Sequence, residues 1–159
     1  ARNCHLSAGD RRMIAARLQS EPFDSAIVQA ALLAGRTDLG AAVAFTGLVR
    51  ADEGLVALTL EHYPAMTLAQ MQAIAADAAV RWPDTIGTII HRHGRLLPGD
   101  SIVLVVTASP HRAHAFAAAQ FLMDWLKTKA PFWKREEWAD GTTRWVEAKG
   151  IDDAAAERW

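Results

Sequence analysis

Basic side chains crowd into a short stretch near the end of the sequence, where they could bind negative charge. This cluster consists of Lys127, Lys129, Lys134 and Arg135. Met123 and Lys127 are four residues apart and share one face of a helix. Two lysines beside Phe132 and Trp133 could form a partly desolvated cationic pocket, in which a lysine can take part in proton transfer. The alternative is a basic last helical turn that complements the helix dipole, with both aromatic side chains in the core. Taken alone, the stretch favours that alternative.

A second set of candidate residues joins a predicted strand to a predicted helix. Ser109 fits the N-cap of that helix, and Pro110 fits its first position. Free backbone N–H groups at a helix start attract anions, and His111 and Arg112 would add side-chain donors. The alternative is an ordinary helix start with a solvated arginine, which this segment alone favours because caps are commoner than ligand sites.

A third candidate is Arg50, which lies where a predicted strand gives way to a loop. Such positions often carry binding residues, and Gly47 nearby would allow a ligand to approach the backbone closely. The alternative is a hairpin with an exposed arginine. His91 and His93 could present two imidazoles on one strand face, but no third ligand follows at a known spacing. We therefore assign the histidines to structural roles and predict neither a metal site nor a cofactor.

Hydrophobic periodicity predicts the elements that must position these residues. The clearest is an amphipathic helix over residues 67–82, ended by Pro83, and a second long helix covers residues 113–130. Residues 101–108 form a continuous apolar run typical of a buried strand.

Residues 13–19 are predicted as a strand or a helix start. Further strands are predicted at 40–50, 55–62, 85–91 and 144–148, and short helices at 25–34 and 152–158. The strands at 40–50 and 55–62 are expected to form a hairpin. The alternation of strands and helices predicts a mixed fold with helices packed on a sheet.

Composition excludes several classes of protein. The 159 residues suit one domain, and a net charge of −1 gives no reason to expect binding to nucleic acid or to an anionic membrane. No apolar run approaches the roughly 18 residues of a membrane span. The single cysteine, Cys4, gives no internal disulfide, so we expect a cytoplasmic protein. We expect residues 1–12 to be a loose or non-native leader ahead of Met13, and residues 13–159 to form one catalytic domain.

Six segments together resemble the MoaE family, the large catalytic subunits of molybdopterin synthases. In family order they are residues 45–50 (FTGLVR), 60–63 (LEHY), 91–100 (HRHGRLLPGD), 109–116 (SPHRAHAF), 123–136 (MDWLKTKAPFWKRE) and 144–148 (RWVEA). The resemblance covers the sequence from about residue 21 onward. It implies an α+β fold of the α/β hammerhead type with an additional small antiparallel β subdomain.

The resemblance also implies an activity and its partners. Family members are sulfurtransferases that take sulfur from the C-terminal thiocarboxylate of a small ubiquitin-like carrier subunit of the MoaD type. The acceptor is cyclic pyranopterin monophosphate, which becomes the dithiolene of molybdopterin. Two copies of the large subunit form a homodimer with one carrier at each end, a heterotetramer overall. The carrier's Gly-Gly tail is expected to thread into a pocket.

By position in the family motifs, Lys127 and Lys134 match the lysines of the reacting centre. The resemblance gives substrate-binding roles to a larger set, which is Leu48, Val49, Arg50, His111, Arg112, Lys127, Lys134, Arg135 and Glu136. It makes Met123 and Arg144 candidate pocket-lining residues. Relatives often carry Lys or Arg where this sequence has Leu48, and the loop over residues 51–54 is shorter than usual.

Helix geometry adds one expectation about the assembly. His111 and Lys127 are sixteen residues apart in a predicted helix, which separates them by about 24 Å. They are too far apart to hold one small pterin within a single subunit, so His111 and Arg112 are predicted to reach the site of the other subunit. Two alternatives remain open: a non-catalytic module that binds a phosphorylated metabolite, and a scaffold for the sulfur carrier.

Overall fold

The computed structural model describes residues 13–146 and 150–159, which contain eight strands and four helices. The expectations for residues 1–12, and for the predicted strand beyond residue 146, lie outside the described residues. The elements in chain order are β1 (Ile14–Gln19), α1 (Ser25–Leu33), β2 (Ala41–Leu48), β3 (Leu55–His62), α2 (Pro64–Arg81), β4 (Ile86–Arg92), β5 (Gly94–Leu96), β6 (Ser101–Ser109), α3 (Arg112–Lys129), β7 (Phe132–Trp138), β8 (Thr143–Val146) and α4 (Gly150–Glu157).

The strands form two four-stranded sheets. The first sheet has the order β1-β4-β6-β2, with β1 and β4 parallel and the other pairs antiparallel. The second sheet has the order β5-β3-β7-β8 and is antiparallel throughout. The predicted α+β class and the additional small antiparallel sheet are therefore confirmed.

Helices cover both faces of the first sheet, which explains the apolar run in β6. Val103 and Val105 point to the core shared with α2 and α3, while Leu104 and Val106 pack with α1 on the opposite face. Because successive strand residues face opposite sides, a strand covered on both sides loses the usual alternation with polar residues. The apolar stripes of α2 and α3 meet this core through Met71, Ala78, Phe121, Leu122 and Leu126.

The predicted hairpin of β2 and β3 is wrong. β2 pairs with β6 in the first sheet, whereas β3 pairs with β5 and β7 in the second. The chain leaves the first sheet after Leu48 because Val49, 4 % exposed, is buried with Leu58, Leu60 and Leu96 of the second sheet. The connection over residues 49–54 is thus a crossing between the sheets.

The predicted N-cap of α3, Ser109, is also wrong, although the helix itself was predicted at residues 113–130. Ser109 is the last residue of β6, where it pairs with Ala41, and its carbonyl accepts a hydrogen bond from the Gly40 N–H at 3.1 Å. This pairing holds Ser109 in an extended conformation, so the N-cap moves to His111 and the helix begins at Arg112. Ser109 Oγ still accepts a hydrogen bond from the His111 N–H at 3.2 Å.

Two strands were not predicted, and β7 is the more important for the site. Its sequence, FWKREEW, has four consecutive charged residues, so neither face is uniformly apolar and no alternation is visible. β5 has only three residues. The ambiguous segment at residues 13–19 is a strand, β1.

The chain's last residue is packed against the two long helices. The Trp159 ring lies edge-on to Trp82 and Phe121, with ring centroids 5.8 Å and 5.6 Å apart. Its indole Nε1 donates a hydrogen bond to Asp124 Oδ2 at 2.8 Å. Trp159 therefore anchors the end of the described chain to α3. In the described residues, no helix is both long and apolar enough to span a membrane.

Candidate active site

A cavity of about 300 Å³ opens at the C-terminal end of α3, where the two sheets meet. Its walls come from β2, β4, β6, α3, β7 and β8. The lining residues are Phe45, Gly47, Leu48, His91, Ile102, Val103, Met123, Leu126, Lys127, Ala130, Phe132, Lys134 and Val146. The cavity is thus apolar over much of its wall, with a small number of convergent polar groups, as is typical of small-molecule sites.

The two predicted reacting lysines both line this cavity. Lys127 lies in the last turn of α3, and Lys134 lies near the start of β7. The turn between these elements is fixed by the buried Thr67, whose Oγ1 donates a hydrogen bond to the Pro131 carbonyl at 3.0 Å. Elements of different layers therefore bring two ammonium groups to one space, where they favour anionic ligands.

A histidine shares the cavity with the lysines. His91 lies in β4, its ring stacks on Phe132 with centroids 3.8 Å apart, and its Nδ1 is 2.8 Å from the Arg92 carbonyl oxygen. Burial lowers the pKa of His91 to about 4, against an opposing effect of the hydrogen bond to Arg92 and with a further lowering by the charge of Lys134. The imidazole is therefore neutral near pH 7.

The apolar wall is formed partly by β2. Phe45 and Leu48 are 43 % and 57 % exposed and face the cavity. A Cβ on Gly47 would lie 2.7 Å from Val103 Cγ1, so this glycine permits close packing between β2 and β6, and it also lines the cavity. A shallower groove continues past Phe45 and Met123 along α3 to Phe116. Met123, a candidate pocket-lining residue, lines both spaces.

The residues that follow β2 do not reach the cavity. Val49 is buried in the second core, and its N–H and carbonyl are hydrogen bonded to Asp100 and Gly99 at 2.8 Å. Arg50 extends into solvent and pairs with Asp52 at 3.2 Å. Of the three predicted substrate contacts in this segment, only Leu48 lines the cavity.

The candidates Arg135 and Glu136 follow Lys134 in β7 but do not line the cavity. Arg135 follows Lys134 in β7 and therefore points to the opposite face, where it pairs across the sheet with Thr59 and Trp145. Its Nε is buried and has no hydrogen-bond partner in the described part of the chain. Glu136 is half-buried on the same face as Lys134, next to Arg144 of β8.

Arg144, another candidate pocket-lining residue, does not line the cavity. Its guanidinium lies over the Trp138 ring, 4.9 Å from the ring centroid.

His111 and Arg112 lie at the other end of α3. Both are exposed, and neither lines the cavity with Lys127 and Lys134. His111 is edge-on to His114, whose Nδ1 lies 2.9 Å from Asp84. The observed helix has 18 residues, so its two ends are separated by about 27 Å.

The arrangement provides cationic groups, a neutral imidazole and apolar walls, which suit an anionic substrate and a reaction that develops negative charge. Sequence analysis missed His91 and Phe45 as cavity residues. His91 is brought to the lysines by the pairing of β4 with β6 and by the contact of its ring with Phe132 of β7, and no local sequence pattern indicates either. Among residues 13–146 and 150–159, no group of three or more His, Cys, Asp or Glu side chains is arranged to hold a metal ion.

Comparison with known proteins agrees with this geometry. The profile of the family described as MoaE protein matches residues 18–129. The molybdopterin synthase catalytic subunit of Mesorhizobium japonicum is 56 % identical over 145 residues, covering 90 % of this chain and 91 % of the relative.

Solved structures give the same result. The molybdopterin biosynthesis MoaE protein from Burkholderia ambifaria is 49 % identical, with a TM-score of 0.80 and coverage of 92 % of this chain and 98 % of that one. The molybdopterin synthase from Staphylococcus aureus is 29 % identical, with a TM-score of 0.74 and coverage of 90 % and 99 %. The resemblance seen in the six sequence segments is thereby confirmed, and the chain belongs to the MoaE protein family.

Proposed function

We propose that this chain is the catalytic subunit of a molybdopterin synthase and acts as a sulfurtransferase. In this function it takes sulfur from the C-terminal thiocarboxylate of a small carrier subunit and adds it to cyclic pyranopterin monophosphate. The observation that carries the proposal is the convergence of Lys127 and Lys134, from α3 and β7, on one cavity of about 300 Å³. Family membership supports the same function.

The chemistry matches the side chains of the cavity. The carrier's thiocarboxylate sulfur forms a bond to a substrate carbon that carries an oxygen of the cyclic phosphate, the bond between that carbon and oxygen breaks, and its electron pair stays on the phosphate. The product is a thioester that links the carrier's acyl carbon to the pterin through sulfur. Water then attacks the acyl carbon, the carbon–sulfur bond breaks, and the carrier leaves as a carboxylate while the pterin keeps the sulfur. Lys127 and Lys134 stabilise the negative charge that develops on the acyl oxygen. An amide between a lysine and the carrier would be too stable to turn over, so neither lysine acts as a nucleophile.

The walls of the cavity suit a slender peptide tail as well as a small ring. Leu48, Phe45 and Met123 provide apolar surface at the mouth, and the lysines provide positive charge for a terminal anion. A carrier that ends in Gly-Gly has no side chains to exclude from such a passage. The small carrier subunit is therefore the partner that we propose for this face.

A homodimer would complete the site. β2 is an edge strand of the first sheet, and Phe45 and the 62 % exposed Phe116 form part of the groove beside it. Exposed edge strands and apolar grooves are usual places of subunit contact. A second copy against this face would bring its own His111 and Arg112 toward the cavity, which α3 is too long to allow within one subunit. With one carrier on each large subunit, the assembly would be a heterotetramer.

The test is a turnover assay with purified components. This chain is mixed with a thiocarboxylated carrier and cyclic pyranopterin monophosphate, and dithiolene product is measured for the wild type, Lys127→Ala and Lys129→Ala. Lys129 is a matched control because it lies in the same last turn but contacts Trp125 and does not line the cavity. Product that depends on Lys127 and not on Lys129 is expected.

The two alternative functions give different results in the same assay. A scaffold for the carrier would bind it without product and independently of both lysines. A metabolite-binding module would bind the pterin without product. Absence of product from a confirmed complex with a cognate carrier would overturn the sulfurtransferase proposal.

A further inference from the structure

His91 has contacts on two sides that fix its orientation in the cavity. The ring is stacked on Phe132 at 3.8 Å with 17° between the planes, and its Nδ1 is 2.8 Å from the Arg92 carbonyl oxygen. A carbonyl oxygen only accepts hydrogen bonds, so Nδ1 must carry the proton. In the neutral ring, Nε2 therefore holds the lone pair.

The proposed reaction needs a proton acceptor in the cavity. Among its lining residues in the described part of the chain there is no Asp or Glu, and an ammonium group has only donors and no acceptor. His91 is thus the lining side chain that can accept a proton at neutral pH without first losing one. It is also a side chain that the proposed mechanism, as far as it rests on the lysines, leaves without a role.

We infer that His91 is a further catalytic residue, which acts through Nε2 as the general base for the water that releases the carrier. This inference rests on the proposed sulfurtransferase function. The water oxygen forms a bond to the acyl carbon of the thioester, and one water proton passes to Nε2. The tetrahedral intermediate then collapses, the carbon–sulfur bond breaks, and its electron pair stays on the pterin sulfur. The carrier carboxyl loses its proton to solvent, and the imidazolium returns its proton to the thiolate or to solvent.

The neighbours of His91 support this role. The titratable groups that face it are Lys134 of β7, Lys127 of α3, His62 of β3 and His93 after β4. Burial and the charge of Lys134 hold the pKa of His91 to about 4, so the base is unprotonated at neutral pH. Anionic substrate placed beside the ring raises that pKa, which strengthens the base when the thioester is present.

The experiment separates thioester formation from hydrolysis. The complete protein with its thiocarboxylated carrier is mixed with substrate in a single turnover, stopped at intervals, and the carrier–pterin adduct is followed by mass spectrometry. For His91→Ala we expect the adduct to form and then to decay about 10²-fold or more slowly than in the wild type. Added imidazole, which fits the space left by the side chain, is expected to restore hydrolysis in proportion to its free-base concentration.

Two further variants make the test decisive. His91→Phe retains a ring to stack on Phe132 but has no lone pair, so it should accumulate adduct like His91→Ala. His93→Asn changes the neighbouring histidine, which does not line the cavity, and should decay within about twofold of the wild-type rate. If adduct decay in folded His91→Ala or His91→Phe matches the wild type, or if imidazole restores nothing to His91→Ala, the inference is overturned. If the wild type itself forms no adduct, the proposed function fails and the inference falls with it.

Discussion

The two ends of α3 carry similar side chains in opposite surroundings. At the C-terminal end, Lys127 shares a cavity with Lys134 of the second sheet. At the N-terminal end, His111 and Arg112 are exposed and do not line the cavity. Both ends attract anions, one through lysine side chains and the other through the helix start. The difference shows that the cavity at one end of α3 is lined by residues of this subunit, whereas the side chains at the other end are free to contact something outside it.

The largest effect is expected from Lys134→Met, which removes the charge contributed by the second sheet. We expect turnover to fall roughly 10³-fold, because a preorganised group that stabilises developing charge is worth that much. Carrier binding should persist. The control is Glu137→Gln, on the other face of β7, where the side chain bonds to Arg95. Equal losses in the two variants would contradict the assignment of the reacting centre to the cavity.

The next largest effect tests the exposed end. The double variant His111→Ala, Arg112→Ala should lower kcat/KM about 10- to 100-fold, mainly through KM, because it removes charge-assisted hydrogen bonds to substrate. Lys127→Ala should instead lower kcat. Steady-state kinetics over a range of pterin concentrations distinguishes the two patterns.

Mixing the His111→Ala, Arg112→Ala double variant with Lys127→Ala tests whether the two ends of α3 act in different subunits. In a random mixture half of the dimers are mixed, and each mixed dimer regains one complete site if the two ends of α3 serve different subunits. Activity should then recover to about a quarter of the wild-type value. No recovery of activity in dimers shown to be mixed would contradict the prediction that His111 and Arg112 of one subunit act together with Lys127 of the other.

A smaller effect is expected from Trp159→Ala, which removes a contact midway between the two ends. Loss of the packing on Trp82 and Phe121 and of the hydrogen bond to Asp124 should lower the free energy of unfolding by about 2 kcal/mol. Urea denaturation measures this change. Trp145→Ala, whose side chain is 58 % exposed, is the control and should change stability by no more than about 0.5 kcal/mol.

The smallest effect concerns the pair of Asp84 and His114 behind His111. Burial raises the pKa of Asp84, but the hydrogen bond from His114 and its charge outweigh burial, so the net pKa is lowered from 3.8. The pair's contribution to stability is therefore fully present above pH 3.8 and is lost as the pH falls through the lower folded value. Because both side chains are about a third or more exposed, the contribution is about 0.5 kcal/mol or less.

The measurement for this pair is the midpoint of thermal unfolding of the wild type and Asp84→Asn. The wild type should be slightly more stable than Asp84→Asn at about pH 5, and the difference should shrink as the pH falls below 3.8. A difference that grows as the pH falls would have the wrong sign for a lowered carboxyl pKa.

The sequence predicted those elements whose apolar pattern is decided locally. The stripe of α2 and the continuous run of β6 are confirmed because each reports burial directly. Ser109 was assigned to the wrong element because pairing with Ala41, about seventy residues away in the chain, overrides its capping preference. The hairpin of β2 and β3 failed for a related reason: Val49 is drawn into the core of the other sheet.

The predictions for the site residues were also only partly correct. Lys127, Lys134, Met123 and Leu48 were predicted from family motifs and all line the cavity, whereas Val49, Arg50, Arg135 and Arg144 do not. The motifs identify the residues but do not indicate to which face of the sheet each side chain points. Lys134 and Arg135 are neighbours in sequence and point to opposite sides of β7, a fact that depends on a strand the pattern did not reveal.

The two lysines of the proposed reacting centre belong to different layers, so their separation depends on how the layers are held together. Lys127 is attached through α3 to the first sheet, Lys134 is attached through β7 to the second, and only Ala130 and Pro131 separate these two elements along the chain. The distance between the two ammonium groups would therefore change if one layer tilted against the other. A protein bound to the outer face of the second sheet could in this way change the width of the cavity. The hydrogen bond from Thr67 to the Pro131 carbonyl lies at the junction between the two layers.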